Sequence, residues 1–271
     1  MFRKYCACLR LSGLVILSAF MDITTSHARQ LYDQYNFGHY SCGPKRELYD
    51  PFLLKFLSAI RPGEKLYDMG CGSGFWMDRY VARGLAQKDI VGVDLSPKNI
   101  EAIRSRGFQA YCDNILELKL EDNVSDHTVC VGVIHHTSDP LVAFKQLVRI
   151  TKPGGAIYLA VYNIWNPYYY IVHKATFPLR YWYWHKNKKI LNFVLPLAKL
   201  LIQPFSLLFF REFLDDKTIK TLFMDQVMTP RADLFSKGKI RNWASQNGCA
   251  VKEIRYIKCF LMIAAIIEVK K

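Results

Sequence analysis

Between Asp139 and Glu212 the chain has no acidic residue. Residues 163–211 alone hold Lys174, Arg180, Lys186, Lys188, Lys189, Lys199 and Arg211, half of a net charge of +14. A stretch of one sign repels basic partners and favours phosphate, whether in nucleic acid, an anionic membrane or an anionic substrate. Cysteine pairing is also lacking. The eight cysteines are scattered, without a CxxC, and Cys6 and Cys8 are the only close pair. That argues against a zinc site or a disulfide framework and leaves free thiols in a reducing compartment. No metal is expected. There is no internal repeat and no low-complexity tract. The N-terminal apolar run, residues 11–21, falls short of the roughly 20 residues a bilayer span needs. Arg3, Lys4 and Arg10 before it and Ser26-His27-Ala28 after it outline a signal peptide. Two other readings stand beside that one: a true start at Met21, or a surface anchor. Residues 1–28 are therefore set apart.

What is present begins at residues 66–74, Leu-Tyr-Asp-Met-Gly-Cys-Gly-Ser-Gly. A short apolar run ends in Asp68, and Gly70, Gly72 and Gly74 follow at alternate positions. A second apolar run, Ile90-Val91-Gly92-Val93, ends in Asp94 twenty residues past Gly74. Strand, glycine turn, helix and a strand ending in an acid make a nucleotide-binding βαβ unit. Without a Cβ, the glycines admit a ligand close to the backbone, and Asp94 can accept hydrogen bonds from ribose hydroxyls. The dinucleotide fingerprint wants a sixth-position glycine where Phe75 stands. A P-loop wants Gly-Lys-Ser/Thr where Trp76 and Met77 stand.

Alternation continues along the chain. Strands are expected near 65–69, 90–94, 108–111, 128–133 and 156–162, and helices near 45–60, 75–83, 97–106 and 140–150. Ser96-Pro97 is a helix start, with the cap and the first-turn proline in place. Two closing strands in 249–269 join near Lys258, after a helix at 237–247. The expected fold is α/β: a doubly wound, mostly parallel Rossmann-like sheet with a C-terminal antiparallel hairpin. The core would run over 29–162, and residues 225–271 would complete it. Between them, 163–224 is an apolar, basic insertion rich in aromatics. In 190–210 the polar residues Asn192, Lys199, Gln203 and Ser206 share one helical face, and Pro196 and Pro204 would kink or break the helix. Such a segment suits an interfacial helix or a cap over an apolar pocket. Residues 29–44 read as an arm over the site, with Tyr35 and Tyr40 placed to close on a cofactor or to pack.

The acid-x-Gly-x-Gly-x-Gly form at Asp68–Gly74 resembles motif I of class I S-adenosylmethionine-dependent methyltransferases. Residues 91–96, including Asp94 and Leu95, resemble the second motif. Tyr111-Cys112-Asp113-Asn114 resembles the third-strand acid that faces the adenine. Residues 131–140, Val-Gly-Val-Ile-His-His-Thr-Ser-Asp-Pro, resemble the fourth-strand segment of the type 11 group, and Lys152-Pro153-Gly154-Gly155 the turn before the fifth strand. Residues 225–231 resemble a later motif near the substrate side. The resemblance implies S-adenosylmethionine as cofactor, held by Asp68, Gly70, Cys71, Gly72, Gly74, Asp94, Leu95, Asp113 and Asn114. It also implies a cytoplasmic protein, since that cofactor is made and used mainly inside cells, peripheral at a membrane if the basic insertion binds one.

His135 and His136 follow the fourth strand, where a methyl acceptor would approach. Either could act as general base, and a structural histidine is the alternative. Asn/Asp-Pro-Pro-aromatic, typical of nucleobase and glutamine methylation, is missing there. The favoured acceptor is a small, apolar or lipid-like molecule. A nucleic-acid acceptor gripped by the basic-aromatic segment is the alternative, and a non-catalytic cofactor-binding scaffold the third reading.

Overall fold

The computed structural model describes residues 26–35, 51–166, 172, 175–210, 213–257 and 262–270. Elements are numbered in chain order. Helix α1 covers residues 26–34, α2 Pro51–Leu57, β1 Leu66–Met69, α3 Phe75–Ala82, β2 Ile90–Asp94, α4 Pro97–Arg104 and β3 Gln109–Cys112. Then come β4 Ser125–Val131, a short 3₁₀ turn Ile134–His136, α5 Pro140–Ile150 and β5 Thr151–Tyr162. The remaining elements are α6 Phe177–His185, α7 Ile190–Phe210, α8 Asp216–Gln226, α9 Lys237–Gln246, β6 Cys249–Ile257 and β7 Met262–Val269.

The sheet runs β3-β2-β1-β4-β5-β7-β6. The first five strands are mutually parallel, and β7 is antiparallel to both β5 and β6. This is the doubly wound sheet with a closing hairpin that the alternation predicts. Strand order reverses between β1 and β4, so the switch point opens beyond their carboxyl ends, where ligands bind in such sheets.

Period-2 alternation divides the core. On β5, Ile157, Leu159 and Val161 join Phe144, Leu147, Ile240 and Trp243 on one face. Tyr158 and Ala160 join Phe52, Phe56, Met77, Tyr80 and Ile100 on the other. The Lys152–Gly155 turn lies inside β5 rather than before it: the β4–β5 register shifts between Ser125 and His127, and Gly154 takes φ 82 there. Ser96 caps α4 as expected, its Oγ accepting from the Asn99 N–H.

A third apolar cluster stands apart from both faces of the sheet. Leu31 of α1, Tyr183 of α6, Leu191 and Ala198 of α7, and Phe223, Met224 and Met228 at α8 are buried together. His27 stacks on Trp184 at 4.8 Å between ring centroids, and Trp184 Nε1 donates to the Met228 carbonyl at 2.8 Å. Helix α1 thus starts inside the boundary drawn at residue 28 and belongs to this cluster. Pro196 and Pro204 lie within α7, which runs through both as one helix.

Candidate active site

The glycine turn after β1 is built from backbone contacts that leave little freedom. Gly70 and Cys71 N–H both donate to the Val93 carbonyl, at 2.7 and 3.1 Å. All three motif glycines have positive φ, 75°, 55° and 82°, which an L side chain adopts only at a cost. Their surroundings differ. A Cβ on Gly70 would lie 2.3 Å from Val133 Cγ2, and one on Gly74 would lie 2.3 Å from Arg106 Nη2, whereas one on Gly72 would meet nothing within 4 Å. Gly70 is therefore demanded by packing against the stiff Val133, at Gly74 the end of the flexible Arg106 side chain would have to move, and Gly72 lines open space.

Asp94, at the end of β2, ties this turn to the next. One carboxylate oxygen accepts from the Gly72 N–H at 2.9 Å; the other accepts from the Ser96 N–H at 2.9 Å and from Asn99 Nδ2 at 3.2 Å. Burial raises its pKa against those hydrogen bonds. Asp68, 3% exposed, lies beneath the turn. Burial first, and then the Asp94 charge, push it up to about 7. Its Oδ2 is buried with no hydrogen-bond partner, and the nearby Tyr80 hydroxyl favours the charged form without making a well-formed hydrogen bond. Cys71 is buried with its thiol pushed up, and Leu95 is half-buried at the mouth. Asp113 accepts from the Asn114 and Lys119 N–H groups at 2.8 and 2.7 Å, and Asn114 Oδ1 from the Leu116 N–H. These two residues shape the loop after β3, and an adenine contact would use the lone pairs that remain.

The two histidines part company. His135 is fully buried, its ring 3.8 Å from that of Tyr162 between centroids. His136 donates from Nδ1 to the Arg231 carbonyl at 2.7 Å, which makes Nε2 the acceptor of the neutral ring. Burial lowers its pKa, keeping it neutral. Arg231 braces the same loop, bonding the Ser138 carbonyl at 2.7 Å and both carboxylate oxygens of Asp233. The segment 225–231 therefore meets the loop that carries His136. Tyr32 of α1 sits between the two sides, its pKa raised by burial, Asp225 and Asp94. Sequence reasoning chose Tyr35 and Tyr40 as the closing residues and missed Tyr32. Tyr35 packs against the third apolar cluster, and Tyr40 lies outside the described residues. The signal that could have found Tyr32 is helical spacing: Leu31, Tyr35 and Ala28 share a face, and Tyr32 is next to it.

The arrangement suits a nucleoside carrying a positive charge. Two acids at adjacent strand ends, one with an unpartnered buried oxygen, stand under a glycine turn whose outer side is open. Residues 67–159 match a family model described as a methyltransferase domain. That stretch is a methyltransferase domain. Human "Probable tRNA methyltransferase 9B" is 34% identical over 116 residues, covering 41% of this chain and 24% of that protein. A ubiquinone biosynthesis O-methyltransferase from Xanthomonas oryzae is 28% identical over 132 residues, covering 45% of this chain and 54% of that protein. This chain thus spans between about a quarter and about half of those relatives' length. The fold matches magnesium protoporphyrin IX methyltransferase of Synechocystis, solved with S-adenosylmethionine bound. That match has a TM-score of 0.54 at 11% identity, over 92% of this chain and 97% of that one. The cofactor of this methyltransferase domain is S-adenosylmethionine, and Asp68, Gly70, Cys71, Gly72, Gly74, Asp94 and Leu95 stand where the sequence motifs place its binding.

Proposed function

We propose that the protein methylates a small, apolar acceptor, with His136 as the general base. The supporting observation is His136 itself, a neutral imidazole with a hydrogen-bonded Nδ1, in a chain whose helices α1, α6, α7 and α8 share an apolar interior. S-adenosylmethionine bound at the glycine turn would supply a methyl group on a sulfonium, already an excellent leaving group. The chain's own work is alignment, which can lower a barrier by up to about 7–11 kcal/mol. The Asp94-braced turn fixes the donor side, and the Tyr32-bearing helix α1 closes over it and excludes water. His136 Nε2 accepts the acceptor's proton, and the Nδ1 bond to the Arg231 carbonyl holds the ring in the required tautomer.

A second reading is RNA methylation, favoured by the tRNA enzyme among the relatives and by the net charge of +14. The two separate in one experiment. The protein is incubated with methyl-labelled S-adenosylmethionine and either a total lipid extract or total tRNA from the same cells. Label in the organic phase supports the proposal; label in the tRNA alone overturns it.

A further inference from the structure

Helix α7 is inside out. Of the four polar residues that share one face, Asn192 is exposed and the other three meet the protein. Lys199 pairs with Asp216, the Gln203 amide in its satisfied orientation bonds the Leu214 backbone, and Ser206 is 3% exposed. Its outer face is apolar instead. Phe193, Leu197, Leu200, Leu201 and Leu207 are 77, 63, 70, 76 and 47% exposed. Their offsets of four, seven, eight and fourteen residues from Phe193 make one stripe, about 21 Å long at the helical rise, and Pro196 and Pro204 are exposed on the same side. Leu191 and Ala198 on the inner face belong to the third apolar cluster. A contiguous apolar patch of this kind marks an interaction surface rather than scattered exposed side chains.

We infer that this stripe and the α6–α7 turn form a docking surface for an anionic lipid bilayer. Charge and composition choose the occupant. Lys186, Lys188 and Lys189 are exposed at the turn, beside Trp182 and Tyr181 at 51 and 46% exposure, and no acid occurs from residue 140 to 211. Amphipathic aromatic rings settle at headgroup level, basic side chains are drawn to an anionic leaflet, and an apolar helix face enters the acyl boundary. Nucleic acid would gain nothing from five exposed aliphatic and phenyl groups in a row along α7. A second copy would bring lysines against lysines at a net charge of +14 each. The helix would lie flat: among the described residues no helix is long and apolar enough to cross a membrane. The inference does not depend on the identity of the methyl acceptor.

The test is co-sedimentation of the full chain with phosphatidylcholine vesicles, with and without phosphatidylglycerol. Two variants accompany it, Leu197→Ser with Leu201→Ser, and Lys186→Gln with Lys188→Gln and Lys189→Gln. All five positions are exposed, so the fold and S-adenosylhomocysteine binding should persist in both variants. The expected result is binding to the anionic vesicles alone, weakened by salt. The leucine pair should lower partition at least about tenfold, and the lysine triple up to about a hundredfold. Three outcomes overturn the inference: the parent staying in the supernatant with both lipids; the leucine pair binding as well as the parent, which would assign any lipid affinity to another segment; or a dimer in sedimentation equilibrium that the leucine pair dissociates, which would make a second copy the occupant.

Discussion

At the scale of single residues, two acids at neighbouring strands, Asp68 buried and Asp94 half-buried, carry opposite consequences. Asp94 spends its carboxylate on Gly72, Ser96 and Asn99, so Asp94→Ala should loosen the turn and lose the ribose contact together. With each charge-assisted bond worth roughly 1.5–3 kcal/mol, calorimetric titration with S-adenosylhomocysteine should show affinity lower by about tenfold or more. Asp68 has a folded pKa of about 7, against about 3.9 unfolded. Between those values the native state binds more protons than the unfolded state, so stability falls as pH rises from about 4 to 7. The charging cost is greatest above pH 7, where three units correspond to about 4 kcal/mol. Asp68→Asn should therefore raise Tm more at pH 8 than at pH 5, while weakening the cationic cofactor. An equal gain at both pH values would show that Asp68 is not protonated in the free protein. His136 has a lowered pKa, so the acid limb of turnover should lie below pH 6.5. His136→Gln should lower kcat and remove that limb with cofactor affinity unchanged, and a variant active across pH 6–9 would leave the ring a structural part.

At the scale of elements, the three motif glycines do different work. Gly70→Ala meets Val133 at 2.3 Å as well as an unfavourable φ of 75°. Gly72→Ala meets open space and bears only the conformational strain, about 1–2 kcal/mol. The expected order in thermal unfolding is Gly70→Ala well below Gly72→Ala. Cofactor affinity should nevertheless fall in Gly72→Ala, because the added methyl points into the ligand's space. If Gly72→Ala proved as unstable as Gly70→Ala, the turn would be packed on its outer side. The spacing of those glycines was legible in the chain, but the division of labour was not, since it depends on Val133 and Arg106, distant in sequence. The parallel strands were legible because each apolar run ends at a turn or an acid. The start of β5 was misplaced by an irregularity: Gly154 and Gly155 read as a turn and lie within the strand, where the register with β4 shifts and pairing resumes at Thr151. In α7 the helical spacing showed which residues share a face. It could not show that Asp216 and Leu214 would draw the polar face inward.

At the scale of the whole molecule, the third apolar cluster is separate from the two that cover the sheet, and it joins α1, α6, α7 and α8 into one helical unit, the proposed lid. The part of the chain with a family match, residues 67–159, supplies the sheet and the donor site. The lid comes from residues on either side of it, which is why composition marked an insertion without revealing that α1 packs with it. A lid that shares no core with the sheet can open without unfolding the sheet. Hydrogen exchange should then show two tiers, with amides of α1, α6 and α7 exchanging by local opening and those of β1, β4 and β5 only by global unfolding. Tyr32 feels the charge of Asp94 at the donor site, so ligand on the glycine turn should bias the lid closed. Adding S-adenosylhomocysteine should slow exchange in α1 by more than in α9, which covers the sheet away from the lid. Uniform slowing in both would mean that the ligand only stabilises the fold as a whole, and no change in α1 would place the lid's closure under the control of the acceptor instead.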